Sequence, residues 1–173
     1  EKGYLALKPR ISRSSAKLVP MYVDWSKTRA YSIGLGMVYL NLKGRESEGI
    51  VEPAEAAELF AAITRDFLAE VDPQTGERIG RVAHVTSEIH EGPHLDREAD
   101  LMLCFEAGYR VSWATTAGGL EVVRDESGAW VPGPFLEDND KTWSGDHVSV
   151  DPELVRGMFY ASVPLQVPEE GLD

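Results

Sequence analysis

The chain has 173 residues, enough for one domain, and its 43% hydrophobic and 27% charged residues are typical of a globular protein. Basic residues number 17 against 29 acidic ones, which gives a formal net charge of −12. This charge argues against a nucleic-acid polymer as the partner, because phosphate backbones are bound by basic surfaces. No apolar run approaches the roughly 20 residues of a membrane-spanning helix, so no membrane span is predicted.

The two ends of the chain differ in character from its middle. Residues 1–20 are basic and irregular, and we predict an arm or linker there, with a solvated loop and a phosphate-binding arm both open as interpretations. Residues 166–173 form a polar tail. Residues 21–165 carry the ordered pattern, so the predicted domain occupies this range.

The first predicted elements are two strands at residues 29–33 and 37–42. Both are rich in β-branched and aromatic residues, which favour strands. Gly34 and Gly36, between the strands, accept positive φ and permit a tight turn. We therefore predict an antiparallel hairpin.

The clearest predicted helix covers residues 53–71. Pro53 suits a first helical position, and Asp72-Pro73 ends the pattern. The spacing of the apolar residues predicts one buried stripe, made of Phe60, Ile63, Phe67 and Val71 with Leu59 beside it.

Further along, short apolar segments alternate with turns rich in glycine, proline and aspartate. Residues 101–105 are continuously apolar, as in a strand buried on both faces. The other predicted strands are residues 81–85, 109–113, 120–123 and 157–162, and a helical turn capped by Asp151 is predicted at residues 151–155. Together these elements predict an α/β fold, a mixed sheet with flanking helices.

Few residues stand out as candidates for chemistry, since the P-loop, GxGxxG, GxSxG and HExxH patterns are all missing from the sequence. His90 and His94 are four residues apart, but Gly-Pro between them prevents a shared helical face, so a polar turn is favoured over a metal site. His84 lies within a predicted strand and is interpreted as structural. Cys104 lies within an apolar run and is predicted to be a small core residue.

The segment Ser144-Gly145-Asp146-His147 is the strongest candidate for a metal site. It offers an imidazole and a carboxylate, both of which bind zinc. One histidine does not complete a zinc site, which needs at least three protein ligands. On spacing alone, His147 as a metal ligand and His147 without a metal both remain open.

Aromatic and basic residues near the middle of the chain have two interpretations. Tyr109, Arg110 and Trp113 are candidates for contacts to a nucleotide base or phosphate, or else for core packing and a surface ion pair. In a strand, Tyr109 and Trp113 would share one face and Arg110 the other. Arg45, after Gly44, has the same two interpretations.

Several of these segments together resemble a known family. The resemblance is to the C-terminal half of type I phosphodiesterase/nucleotide pyrophosphatase-like proteins, in the alkaline phosphatase superfamily, and it extends from about residue 20 to residue 163. The stretches that carry it are residues 23–31, 38–46 and 48–51, Asp72-Pro73-Gln74-Thr75-Gly76-Glu77, Gly92-Pro93-His94-Leu95-Asp96 with Ala99-Asp100-Leu101, Gly108-Tyr109-Arg110-Val111-Ser112-Trp113, and Trp143-Ser144-Gly145-Asp146-His147.

The resemblance implies part of an alkaline-phosphatase-like fold, with residues 21–165 as the C-terminal part of that domain including cap elements. It also implies hydrolysis of phosphodiester, pyrophosphate or phosphomonoester bonds, with two divalent cations, usually zinc, stabilising the attacking and leaving oxygens. The implied substrate is a small-molecule phosphate ester or nucleotide. His147 matches the family's last metal ligand, and Asp146 beside it would orient the imidazole.

Two family segments have no counterpart in this sequence: the nucleophile segment and the segment that gives two further ligands. We therefore expect a C-terminal piece that needs a missing N-terminal half, carries no catalytic residue of its own and is inactive alone. The alternative is a non-catalytic binding or structural α/β module.

Overall fold

The computed structural model describes part of the chain: Tyr4, residues 23–112, Thr115, residues 122–128, residues 130–139, Thr142, residues 149–158, residues 160–164 and Gln166. Within these residues, four strands form a sheet in the order β1-β2-β4-β3. The strands are β1 (Ala30–Ser32), β2 (Met37–Leu40), β3 (Gly80–Val85) and β4 (Leu101–Phe105). A separate two-stranded sheet pairs β5 (Val122–Arg124) with β6 (Trp130–Pro132).

The predicted hairpin is confirmed. Strands β1 and β2 pair antiparallel, with Ala30 opposite Leu40 and Ser32 opposite Val38. Gly34 and Gly36 in the turn have φ of 100° and 82°, the left-handed region that glycine enters without steric cost. The predicted strands 81–85 and 101–105 are also confirmed as β3 and β4.

The sheet differs from the prediction in one respect, because all of its described strand pairs are antiparallel and the sheet is not mixed. Strand β4 is the centre of this arrangement, with β2 on one side and β3 on the other. Both hydrogen-bonding edges of β4 are therefore occupied. Its side chains are buried or half-buried on both faces, in agreement with its continuously apolar sequence.

The helical segment begins with a 3-10 turn, Pro53–Glu55, and continues as helix α1, Ala56–Leu68. Its most buried residues are Leu59 and Ile63, one turn apart. The prediction of an end at residue 71 was wrong. Because the helix ends at Leu68, Val71 does not continue the stripe and is 47% exposed. A short helix α2, Thr86–Ile89, and a 3-10 turn, Leu95–Arg97, lie between β3 and β4.

The core lies between α1 and one face of the sheet. Pairing places Val38 opposite Leu101 and Ala30 opposite Leu40, so these four side chains point to the same face. They form one buried cluster with Val51, Leu59 and Ile63. Tyr4 packs against this cluster, and its hydroxyl donates to Asp66 Oδ2 of α1 at 2.7 Å.

Two predicted strands are wrong in their described parts. Residues 109–112 are not a strand: Tyr109 N–H closes a turn onto the Glu106 carbonyl at 3.1 Å, and both edges of the preceding strand β4 are already paired. Residues 157, 158 and 160–162 are not a strand either. The predicted helical turn at Asp151 is confirmed, since Glu153 N–H donates to Asp151 Oδ1 at 2.9 Å.

None of the helices in the described ranges has the length and apolar content to cross a bilayer. The 13 residues of α1 extend for only about 20 Å, against about 30 Å of hydrocarbon.

Candidate functional site

Some of the described residues line a small cleft of ≈ 40 Å³ that is partly open to solvent. Its lining comes from Leu35 in the β1–β2 turn, residues 103–105 of β4, residues 109–111 and Ser149. Thr115 holds the turn in place, because its Oγ1 donates to the Gly34 carbonyl at 2.7 Å. This volume is far smaller than the roughly 300–1,000 Å³ of small-molecule sites.

Tyr109 is fixed at the edge of this cleft by a long-range hydrogen bond. Its hydroxyl donates to Asp72 Oδ2 at 3.0 Å, although the two residues are 37 positions apart. The pKa of Asp72 is held below its ordinary value, first by the backbone N–H of Gln74 and also by this hydroxyl. Tyr109 thus ties the segment 109–111 to the turn that follows α1.

Arg110 also lines the cleft. It is half-buried, and its Nε and Nη1 atoms are shielded from solvent. Its Nη2 lies 3.4 Å from Asn139 Oδ1. The guanidinium therefore lies in a region where charge interactions are less screened than at an open surface.

A second arginine, Arg81 of β3, binds the chain segment that follows Ser149 in the sequence. Its guanidinium contacts Asp151, Glu153 and Glu106. Backbone hydrogen bonding from Glu153 and the charge of Arg81 lower the pKa of Asp151, whose side chain is only 6% exposed. The pair Arg81–Asp151 joins residues 70 positions apart, and the sequence pattern gave no signal for it beyond the cap at Asp151.

The third arginine, Arg45, is engaged on three sides. It binds Asp100 with two parallel hydrogen bonds, from Nη1 to Oδ1 at 2.8 Å and from Nη2 to Oδ2 at 2.7 Å. Its Nε donates to Glu46 Oε1 at 2.8 Å, and Nη2 also donates to the Leu40 carbonyl at 2.8 Å. Of the two interpretations of Arg45, the structure therefore supports the ion pair.

The main predicted site residue, His147, lies outside the described residues, as do Asp146 and Trp113. Ser149, two residues after His147 in the sequence, is described and lines the cleft. The structure thus brings Tyr109, Arg110 and Ser149 together, and the assignment of His147 as a metal ligand stays a prediction.

The other histidines do not line the cleft, whereas Cys104 does. His90 pairs with Glu98 at the surface, and His94 is exposed. His84 is half-buried on β3 opposite Met102, and its Nε2 atom is buried. Cys104 is buried, as predicted for a core thiol.

The described part of the chain contains no group of three or more His, Cys, Asp or Glu side chains placed to hold a metal ion. The described residues alone therefore do not supply the donor set that the family resemblance implies. No family model matches the chain, and neither a curated protein nor a solved structure is significantly similar to it.

Proposed function

We propose that this chain is part of a metal-dependent hydrolase of phosphodiester, pyrophosphate or phosphomonoester bonds, and that it is inactive by itself. The observation that carries the proposal is the presence of separate motifs in a fixed order from residue 23 to residue 147. Their combination resembles type I phosphodiesterase/nucleotide pyrophosphatase-like proteins. The substrate class is a small phosphate ester or a nucleotide.

Some of these motifs contact each other in the fold. Arg45, in one motif, binds Asp100 in another, and Tyr109, in a third, binds Asp72 in a fourth. These two contacts tie four of the motifs together in pairs.

In this proposal His147 is the metal ligand that the chain contributes, with Asp146 as the neighbour that orients it. The remaining ligands and the nucleophile are placed outside this chain, because the family's nucleophile segment and the segment with two further ligands have no counterpart in this sequence.

The first test compares this chain with the complete product of its gene. Both are assayed with nitrophenyl phosphate and bis(nitrophenyl) phosphate, with added zinc and after chelation. We expect chelator-sensitive turnover by the complete product and none by the chain alone. A complete product that hydrolyses neither ester with any divalent metal would contradict the proposal.

The second test concerns the assigned ligand. His147→Ala in the complete product should remove one of two metal ions and most of the activity, because the loss of one of three ligands weakens metal binding severely. The exposed His94 offers a matched control, and His94→Ala should leave the metal content unchanged. Metal content is measured by elemental analysis. An unchanged metal stoichiometry in His147→Ala would contradict the assignment of His147 as a metal ligand.

A second candidate function is a non-catalytic binding or structural module. One observation favours it: Arg45, Arg81 and Tyr109 all bind carboxylates of this same chain. Such internal pairing is typical of a structural framework. A complete product that folds, binds no metal and hydrolyses no phosphate ester would support this alternative.

A further inference from the structure

We propose that the face of the four-stranded sheet opposite α1 binds a soft monovalent metal ion, Cu(I), through four side chains: Met37, His84, Met102 and Cys104. Strand pairing places Met37 opposite Met102 on one side of β4, and His84 opposite Met102 on the other side. Residues directly opposite each other in a sheet point to the same face. These three side chains therefore form one row across β2, β4 and β3.

Cys104 belongs to the same face, because it follows Met102 by two positions in β4. The neighbouring pair Val38 and Leu101 points to the other face, where it packs in one cluster with Leu59 of α1. Cys104 is 1% exposed and Met102 is 8% exposed. Two sulfur donors are thus placed side by side in a part of the fold that is shielded from water.

His84 supplies an independent sign of a missing ligand. Its Nε2 atom is buried and has no hydrogen-bond partner among the described residues. Buried polar atoms are nearly always paired, so an unpaired one indicates a water or an ion at that place. The pKa of Asp151 is lowered mainly by the backbone N–H of Glu153, and the charge of His84 adds to this, so the carboxylate lies near the ring. A carboxylate near the imidazole is common for metal-binding histidines.

The donor types select the metal. Thioether and thiolate sulfur favour Cu(I), whereas zinc sites use Cys, His, Asp and Glu. Two of the four donors are methionines, so the group differs in kind from the clusters of His, Cys, Asp and Glu that the described part of the chain lacks. One thiolate also neutralises the single charge of Cu(I), while Zn²⁺ would leave a net positive charge in a buried place, which is costly.

The present contacts of these side chains permit binding. Met37 Sδ accepts only the hydroxyl of Tyr39, at 4.0 Å, and thioether sulfur is a weak acceptor. The methionine side chain has three rotatable bonds, so it can turn toward Met102 at little cost. Cys104 lines the small cleft, which is partly open to solvent and offers the metal a way in.

The test titrates the reduced chain with Cu(I) under anaerobic conditions, in competition with the chromogenic chelator bicinchoninate. We expect one Cu(I) per chain, sulfur neighbours of copper in X-ray absorption, and NMR shifts of backbone amides centred on residues 82–85 and 101–104. Zn²⁺ should leave these amides unchanged, because thioethers are poor zinc ligands.

Variants separate binding from packing. Met102→Leu keeps the volume of the side chain and should still fold, but should weaken Cu(I) binding by about tenfold or more. Met158→Leu is the matched control, because Met158 is 82% exposed. His84→Gln and Cys104→Ala should also weaken binding, with the exposed His94→Gln as a second control. Should Cys104→Ala fail to fold, Met102→Leu still decides.

Three results would overturn the proposal: loss of all Cu(I) to the chelator, amide shifts confined to residues outside this face, or unchanged affinity in Met102→Leu. The last would show that the methionines only pack against their neighbours. The titration uses neither zinc nor a phosphate ester, so its failure is distinct from failure of the hydrolase assay.

Discussion

Arg45 and Asp100 lie 55 positions apart in the sequence and join the end of the β1–β2 hairpin to the start of β4 through two parallel hydrogen bonds. Asp100 Oδ2 also accepts the backbone N–H of Leu40 at 2.6 Å, and the side chain of Asp100 is 13% exposed. Because the carboxylate is largely buried, its partners are needed to offset the cost of desolvation.

The first prediction follows from this pair. Arg45→Ala should lower the free energy of unfolding by about 2–4 kcal/mol, because it leaves the charge of Asp100 buried without its partner. Arg97→Ala is the control, since Arg97 and Asp96 form an exposed pair worth less than about 1 kcal/mol. Urea unfolding measures both values, and equal losses in the two variants would contradict the role of the pair.

The second prediction concerns acid stability through Asp151. Its pKa is lowered in the folded state, so its ionised form stabilises the fold above the unfolded pKa of about 4, and this contribution is lost as the pH falls through the folded pKa. Asp151→Asn should lower Tm by about 4 °C at neutral pH, with the difference shrinking below about pH 4. Thermal melts from neutral to acidic pH measure this, and a constant difference would contradict it. The exposed Asp96→Asn serves as the control.

The third prediction concerns alkaline pH and Tyr31. Burial raises the pKa of Tyr31 to about 12, and the charge of Glu46 adds to the effect. Because the folded pKa is raised, the contribution to stability is complete below about pH 10, the unfolded value, and is lost as the pH rises through the folded one. As the pH rises from about 10 to about 12, Tyr31→Phe should therefore lose less stability than the wild type. Tyr160→Phe, at an 83% exposed position, should follow the wild type. Absorbance of tyrosinate and urea unfolding give the two readouts, and normal ionisation of Tyr31 near pH 10 would refute the prediction.

The fourth prediction separates steric contact from backbone strain at two glycines. Gly36 and Gly44 have nearly the same φ, 82° and 86°. A Cβ at Gly36 would lie 2.6 Å from the Leu103 carbonyl oxygen, whereas a Cβ at Gly44 would meet nothing within 4 Å. Gly44→Ala should cost about 1 kcal/mol of backbone strain, and Gly36→Ala about 2–4 kcal/mol because β2 and β4 must also move apart. Chemical unfolding measures both losses of free energy. Equal losses in the two variants would show that the Cβ at Gly36 makes no costly contact with Leu103, and would contradict the prediction.

Much of the fold was predictable from local sequence. The hairpin has a turn signal in Gly34 and Gly36, and the helix has a start signal in Pro53 and an apolar period. Strands β3 and β4 follow from short apolar runs. The end of the helix was less predictable: Val71 continues the apolar spacing, but the chain leaves the helix at Leu68. Strand β6 was not predicted.

The candidate site was predictable only in part. Tyr109 and Arg110 were singled out for chemistry or packing, and both line the cleft, yet the strand predicted for them does not form in its described part. A strand needs a neighbour with a free edge, and no pattern within residues 109–112 reports that β4 is already paired on both sides. His147 remains the sequence-based candidate for a metal ligand.

The sequence by itself determined where the hairpin, the helix and strands β3 and β4 form, because propensity, periodicity and the φ preference of glycine act over a few neighbouring residues. Only the tertiary structure decided the strand order β1-β2-β4-β3 and its antiparallel pairing. It also decided which carboxylates Arg45, Arg81 and Tyr109 bind, at separations of 55, 70 and 37 positions for Asp100, Asp151 and Asp72. The sequence offers 29 acidic residues as partners, and the choice among them depends on which ones the packed sheet brings within hydrogen-bond distance.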